Sequence, residues 1–160
     1  RQGPDRTEPR EHAMTTAKTR SPRFNHVAMS VPADLLGEEG RKELLRFYGD
    51  VFGWEELPTE TLDRKRLVMR AYSNEQFVFL IADDPPMACP RLDHFGMSVD
   101  TMDELDDMLA RAKAFQAGDH RVDIIDKKAD EHAGFLTLTS FYVRFLLPMM
   151  VEVQHFAWAR

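Results

Sequence analysis

The chain has 160 residues, an apolar fraction of 43% and a formal charge of −6. This size suits one compact domain, or two small modules that share a core. Nucleic acid is disfavoured as a partner because it requires clustered Lys and Arg, which are dispersed here among more numerous acids. A membrane span of ~20 apolar residues is absent from the sequence, and so is a secretory signal. The single cysteine, Cys89, excludes an internal disulfide, so we expect a cytoplasmic protein.

Composition divides the chain into a tail and one folded region. Residues 1–22 hold almost no large apolar side chains, so we predict a flexible N-terminal tail. Residues 23–157 are predicted to form a single domain. Within it, module one covers 23–83, a proline-rich connector covers 84–90, and module two covers 91–157.

Module one reads as a strand, a helix and three strands. Residues 24–31 alternate with a period of two, which is typical of a strand with two distinct faces; Val27, Met29 and Val31 form one face, and His26, Ala28 and Ser30 form the other. "RKELLRFYGDVF" carries one apolar stripe, which predicts a helix, and Gly53 is placed for a left-handed cap. Three strands follow, in "GWEELP", "LDRKRLVMRAYS" and "EQFVFLIA".

Module two repeats this order. "RLDHFGMSV", from Arg91 to Val99, nearly duplicates "RFNHVAMSV", from Arg23 to Val31. Thr101 and Glu104 have the spacing of a capping box, which predicts a helix start, and the helix is expected to close at Gly118. Strands are predicted in "RVDIIDKK", "GFLTLTSFYVRF" and "MMVEVQHFAW". The repeat therefore indicates two copies of one βαβββ unit.

Two βαβββ units in about 140 residues resemble the vicinal oxygen chelate superfamily, which includes glyoxalase I, extradiol dioxygenases, fosfomycin-resistance enzymes and bleomycin-binding proteins. The strand "NHVAMSVP", the helix exit "FYGDVFGW" and the last strand "VEVQ" carry the resemblance. It implies an α+β fold in which the two modules form a cupped mixed sheet around a divalent metal. It also implies a small-molecule substrate or ligand and a homodimer.

One turn departs from the superfamily's pattern. Its members commonly place Asp-Pro-x-Gly between the last two strands, whereas "FLLP" stands here between Tyr142 and Glu152. The turn therefore lacks the usual tight-turn residues and is more apolar. We expect it to press against a ligand or a partner subunit.

The resemblance assigns three metal ligands. His26 and His94 match the first-strand positions, and Glu152 matches the last-strand position of module two. The strand phases agree, because all three lie opposite the bulky apolar face of their strands. Two imidazoles and one carboxylate suit Mn²⁺, Fe²⁺, Co²⁺, Ni²⁺ or Zn²⁺. The fourth equivalent position falls in the apolar "QFVFLIA", which disfavours a four-ligand site.

Other side chains are expected to line the substrate. Ser30, Ser98 and Gln154 share the ligand face, where they either orient a substrate or simply fill the cup. Tyr142 is either a proton donor or a packing residue. Glu152 is also the candidate catalytic proton shuttle, with a water activated by the metal as the alternative.

Three functions fit these residues. The first is a metal-dependent enzyme, of the isomerase, lyase or dioxygenase type, that acts on a substrate with neighbouring oxygens. The second is a non-catalytic protein that binds a ligand or an antibiotic in the same cup and so confers resistance. The third is a structural relative that binds a partner.

Overall fold

A computed structural model describes residues 21–57 and 64–159. Module one contains β1 (His26–Val31), a 3-10 turn (Ala33–Leu36), α1 (Glu38–Phe52), β2 (Glu55–Glu56), β3 (Arg66–Arg70) and β4 (Phe77–Ala82). Module two contains β5 (His94–Val99), α2 (Met102–Gly118), β6 (Asp123–His132), β7 (Leu136–Arg144) and β8 (Met150–Trp158). The predicted α+β fold of two βαβββ units is confirmed. The predicted tail lies outside the described residues, except for residues 21 and 22.

Each module has its own four-stranded mixed sheet, and the two sheets have the same order. Module one is ordered β1-β4-β3-β2 and module two β5-β8-β7-β6. In both, the first and last strands of the module pair in parallel and the remaining pairs are antiparallel. The first and last strands of each module therefore lie side by side, which brings distant parts of the sequence together.

The helices begin and end largely where their capping residues predict. Gly53 follows α1 with φ of 72°, a left-handed conformation that glycine adopts without strain. Thr101 and Glu104 form the predicted capping box at the start of α2. Two details differ from the prediction: α1 begins earlier, at Glu38, and α2 includes Gly118 as its last residue, with an extended Asp119 as its cap.

The two modules are joined through their helix-covered faces. The ring of Phe47 on α1 contacts those of Phe115 on α2 and Phe145, at centroid distances of 5.2 and 4.8 Å. The buried Tyr48 hydroxyl donates to the Phe145 carbonyl at 3.0 Å and accepts from the Phe145 N–H at 3.2 Å. These contacts place one common core between the helices.

The "FLLP" turn contributes to this core. Leu146 adopts φ of 61°, and the side chains of Phe145 and Leu147 are buried, with only 3% and 4% exposed. Their apolar surface is therefore covered by the chain's own helices. A ligand or a partner subunit is not needed to explain this turn.

Neither helix in the described part of the chain has the length and apolarity that crossing a membrane requires.

Candidate metal centre

Each sheet has an open face, defined here as the face opposite the helices. It carries His26, Ala28 and Ser30 in module one and His94, Gly96 and Ser98 in module two, and most of these residues are exposed. In module two, Glu152 lies opposite Gly96 on β5 and opposite Tyr142 on β7. Directly opposed residues share a face, so the first and last strands bring these groups to the same surface.

His94 and Glu152 form the centre of this surface. The Nε2 atom of His94 lies 3.3 Å from Oε2 of Glu152, and the carboxylate side chain is only 6% exposed. The Nδ1 atom of His94 lies 2.7 Å from the Leu92 carbonyl. A carbonyl oxygen only accepts hydrogen bonds, so Nδ1 is the donor, and in the neutral ring the lone pair of Nε2 faces Glu152.

This pair fits a divalent cation. Two neighbouring ligands with bonds of about 2.1 Å stand roughly 3.0–3.4 Å apart, and the nitrogen–oxygen distance here is 3.3 Å. Metal-binding histidines also usually donate their second N–H to a carbonyl or carboxylate, as His94 does to Leu92. The same distance suits an ion pair when His94 is protonated, so the arrangement can hold either a proton or a metal.

Tyr142 is the third member of this group. Its ring meets the His94 ring edge-on at a centroid distance of 5.1 Å. A hydrogen bond with the Glu152 carboxylate raises the pKa of Tyr142, and burial raises it further. The phenol therefore stays protonated beside Glu152 and packs on His94; its role as a proton donor stays a prediction.

Gly96 is a residue of this site that the sequence analysis did not select. A Cβ atom added at Gly96 would lie 3.4 Å from Oε1 of Gln154 and 3.9 Å from Oε2 of Glu152. The bare glycine therefore leaves a gap beside the carboxylate that any side chain would fill. A glycine in the middle of a strand is the signal that pointed to a close approach of this kind.

The third predicted ligand, His26, does not join this group within one chain. Its ring stacks on Phe77 at 4.9 Å, and its Nδ1 lies 2.9 Å from Oδ1 of Asn25. Among the described residues, no group of three or more His, Cys, Asp or Glu side chains is placed to hold a metal. The chain thus brings together His94 and Glu152, and the three-ligand centre stays a prediction.

The substrate-lining candidates are also distributed over both modules. Ser98 lies opposite Gln154, next to Glu152 on the open face of module two. Ser30 lies in module one opposite Ile81. Ser98, Gln154 and Tyr142 therefore share the surface of His94 and Glu152, whereas Ser30 shares that of His26.

Comparison with known proteins identifies the fold. No protein-family model and no curated protein matches the chain. Solved structures do match: lactoylglutathione lyase from Agrobacterium tumefaciens has a TM-score of 0.58 at 17% identity, covering 86% of this chain and 96% of its own. The fosfomycin resistance protein FosX from Listeria monocytogenes has a TM-score of 0.57 at 15% identity, covering 84% and 91%.

A third similar structure is the putative glyoxalase family protein from Bacillus anthracis. It has a TM-score of 0.54 at 20% identity and covers 86% of this chain and 98% of its own. All three align over nearly their whole length, so both modules are included in the match. The resemblance found in the sequence is therefore confirmed at the level of the fold: this chain has the glyoxalase-like fold of paired βαβββ modules.

Proposed function

We propose that this protein is a divalent-metal-dependent enzyme of the vicinal oxygen chelate type, which acts on a small substrate with two neighbouring oxygens. The observation that carries the proposal is the His94–Glu152 pair, with the Nε2 lone pair turned toward a nearly buried carboxylate at 3.3 Å. Two structures that share the fold are named as a lyase and as a fosfomycin resistance protein, which supports small-molecule chemistry.

His94 and Glu152 would hold the metal, and His26 of a second copy would complete the set. Asn25 occupies Nδ1 of His26, which leaves Nε2 for a metal. His26 stands on the open face of module one, whose apolar residues include the partly exposed Ile81. A homodimer that placed this face over the open face of module two would cover apolar surface and bring the third ligand to the pair.

When bound, the metal would act as a Lewis acid that stabilises negative charge on a substrate oxygen. Residues of the chain itself would orient the carboxylate, bind the substrate and accept the proton. Tyr142 donates to Glu152 and fixes the orientation of its carboxylate. Ser98 and Gln154 offer a hydroxyl and an amide to substrate oxygens. Glu152 is the proposed proton acceptor, and the gap at Gly96 gives the substrate access to it.

A non-catalytic ligand-binding protein is the second candidate. The observation in its favour is that the described residues of one chain assemble no group of three metal ligands. Such a protein would bind its ligand in the same place without retaining metal.

The test is elemental analysis of protein purified without a polyhistidine tag. We expect about one metal ion per chain in the wild type, and a loss of affinity of more than about 100-fold in His94→Ala and Glu152→Gln, because removing a direct ligand exceeds the 10–100-fold effect of its supporting groups. His132→Ala is the matched control, since His132 lies at the exposed end of β6. A wild type without metal, or Glu152→Gln with full affinity, would reject the enzyme proposal.

Mixed subunits test whether the centre is shared. His26→Ala and Glu152→Gln should each lose metal alone. After denaturation and joint refolding, about one quarter of the wild-type sites should return, because half of the dimers then contain one intact site of two. No recovery, with metal bound by His26→Ala alone, would place the whole centre in one chain.

A further inference from the structure

A cleft of about 540 Å³ runs between the two modules, beside β1 and β4 on one side and β5 and α2 on the other. His94, Glu152 and Tyr142 do not line it, although His26, Gly96 and Ser98 do. From its lining we infer that this cleft binds a small organic cation with an aromatic or branched apolar body, independently of any metal.

The inner part of the cleft is aromatic. Trp54 stacks between Tyr48 and Phe95, with ring centroids 4.9 and 6.4 Å away. Phe52 and Met108 complete this inner surface. Because Tyr48 and Phe95 cover both faces of Trp54, this inner surface favours an apolar body. A cation would be attracted by the exposed ring faces at the mouth of the cleft, within about 6 Å.

The mouth of the cleft is aromatic as well. Phe24 and Tyr72 line it and are 75% and 83% exposed. Phe77 also lines the cleft and stacks on His26. Exposed rings at the entrance of a concave surface are typical of ligand sites.

The polar end of the cleft carries Asp100 and Glu104. Oε2 of Glu104 accepts from the backbone N–H groups of Asp100 and Thr101 and from the Thr101 hydroxyl. These bonds hold the carboxylate at the start of α2, where the helix N-terminus offsets part of its charge, but no Lys or Arg side chain of the described residues pairs with it. No Lys or Arg of the described residues lines the cleft.

The lack of a cation here contrasts with the rest of module two. Its other carboxylates near α2 are mostly paired, in the ion pairs Asp106–Lys127, Asp107–Arg111, Asp126–Lys113 and Asp119–Arg121. Neither Asp100 nor Glu104 pairs with a Lys or Arg within residues 21–57 and 64–159. This aromatic cleft between the modules thus keeps two carboxylates that no Lys or Arg side chain of the described residues pairs with, which favours a cationic ligand.

Trp54 allows the binding to be measured directly. The chain has two tryptophans, so Trp158→Phe leaves Trp54 as the only reporter of fluorescence. Benzyltrimethylammonium is the cationic probe, 2-methyl-1-phenyl-2-propanol is a neutral probe of nearly the same shape, and 3-phenylpropanoate is the anionic probe. We expect saturable quenching, with the cation bound at least about fivefold more tightly than the neutral probe and the anion bound weakest.

Two variants test the carboxylates. Asp100→Asn and Glu104→Gln should each weaken binding of the cation about threefold or more and leave the neutral probe unchanged. Glutamine keeps the capping box, so α2 should still fold. Asp103→Asn is the matched control, because Asp103 lies in the same helical turn but outside the cleft.

Several outcomes would overturn the inference. They are equal binding of the three probes, an equal effect of Asp103→Asn, or quenching that weakens as the protein concentration rises, which would mean that a second copy fills the cleft. Glu152→Gln should bind the cation normally. Retained probe binding without metal in the wild type would leave this inference standing while the proposed enzyme fails.

Discussion

The open faces of the two modules carry different chemistry on the same strand positions. On the parallel pair of module one, Phe79 lies opposite Ala28, and Val68 flanks it on β3. On the parallel pair of module two, Glu152 lies opposite Gly96, and Tyr142 flanks it on β7. One module thus offers a phenyl ring where the other offers a carboxylate held by a phenol.

The helix-covered faces differ much less. Both first strands turn apolar residues toward their helix, and both helices bury an apolar stripe in one shared core. The comparison teaches that the repeat keeps the residues that pack, whereas the open face is free to differ. Breaking the shared core should therefore affect both modules, and changing the open face should affect only binding.

The largest effect is expected from Phe47→Ala. Phe47 is fully buried and contacts both Phe115 and Phe145 of module two. Its loss should lower the free energy of unfolding by about 3–5 kcal/mol, measured by urea denaturation. Phe24→Ala, at a residue that is 75% exposed, should change it by less than about 0.5 kcal/mol. Two separate unfolding transitions in the wild type would contradict a core shared by both modules.

Tyr48→Phe should lower the free energy of unfolding somewhat less than Phe47→Ala does. Its hydroxyl satisfies both the N–H and the carbonyl of Phe145 in a buried position, so the loss is expected to be about 2 kcal/mol. Tyr72→Phe is the control, because Tyr72 is 83% exposed. Equal stability of the two variants would show that these hydrogen bonds do not join the modules.

Tyr48 also predicts a dependence on alkaline pH. Burial raises the pKa of Tyr48 above its usual value, and the Phe145 backbone hydrogen bond and Arg144 only partly oppose this. Its contribution to stability is therefore complete below the unfolded pKa of about 10 and falls as the pH rises above it. The wild type should lose stability between pH 10 and 11 more steeply than Tyr48→Phe.

Tyr142→Phe tests the open face. If Glu152 is a metal ligand as proposed, removing the phenol hydroxyl should weaken metal binding about tenfold, since the phenol would support a direct ligand, and calorimetric titration measures this. Stability should change little, because the ring keeps its contact with His94. Unchanged metal affinity would show that Glu152 does not depend on Tyr142 for its orientation.

The sequence predicts the fold well because the repeat and the capping residues are local signals. The period of two in β1 and β5, Gly53, and the box of Thr101 and Glu104 each specify structure within a few residues. The helix boundaries are less well predicted. The 3-10 turn leads directly into α1 through its N-cap Gly37, so the helix begins before Arg41.

The candidate site was predicted only in part, because it depends on pairing between distant strands. The family resemblance, together with strand phase, predicted that Glu152 and His94 share one face, and the register of β5 with β8 brings them together. The gap at Gly96 follows from that register and has no signal except the glycine itself. Strand phase could not show that His26 of the same chain lies apart from this pair, since phase carries no information on how two sheets are placed.

The smallest effect is expected from Arg121→Gln, which removes an ionic link between the modules. Arg121 of module two binds Glu43 on α1 at 2.7 Å and Asp119 at 2.6 Å. Side-chain hydrogen bonds from Arg121 lower the pKa of Asp119 to about 2 and also lower that of Glu43. A carboxylate with a lowered pKa in the folded protein stabilises the fold at any pH above its pKa in the unfolded chain. This contribution is lost as the pH falls toward 2. The Tm difference from wild type should therefore be largest near pH 7, shrink between pH 4 and 2, and nearly vanish in 1 M NaCl.

Lys128→Gln is the control, because Lys128 pairs with Asp130 within the same strand and links no modules. If both variants behave alike, the ion pair of Arg121 with Glu43 does not contribute to joining the modules.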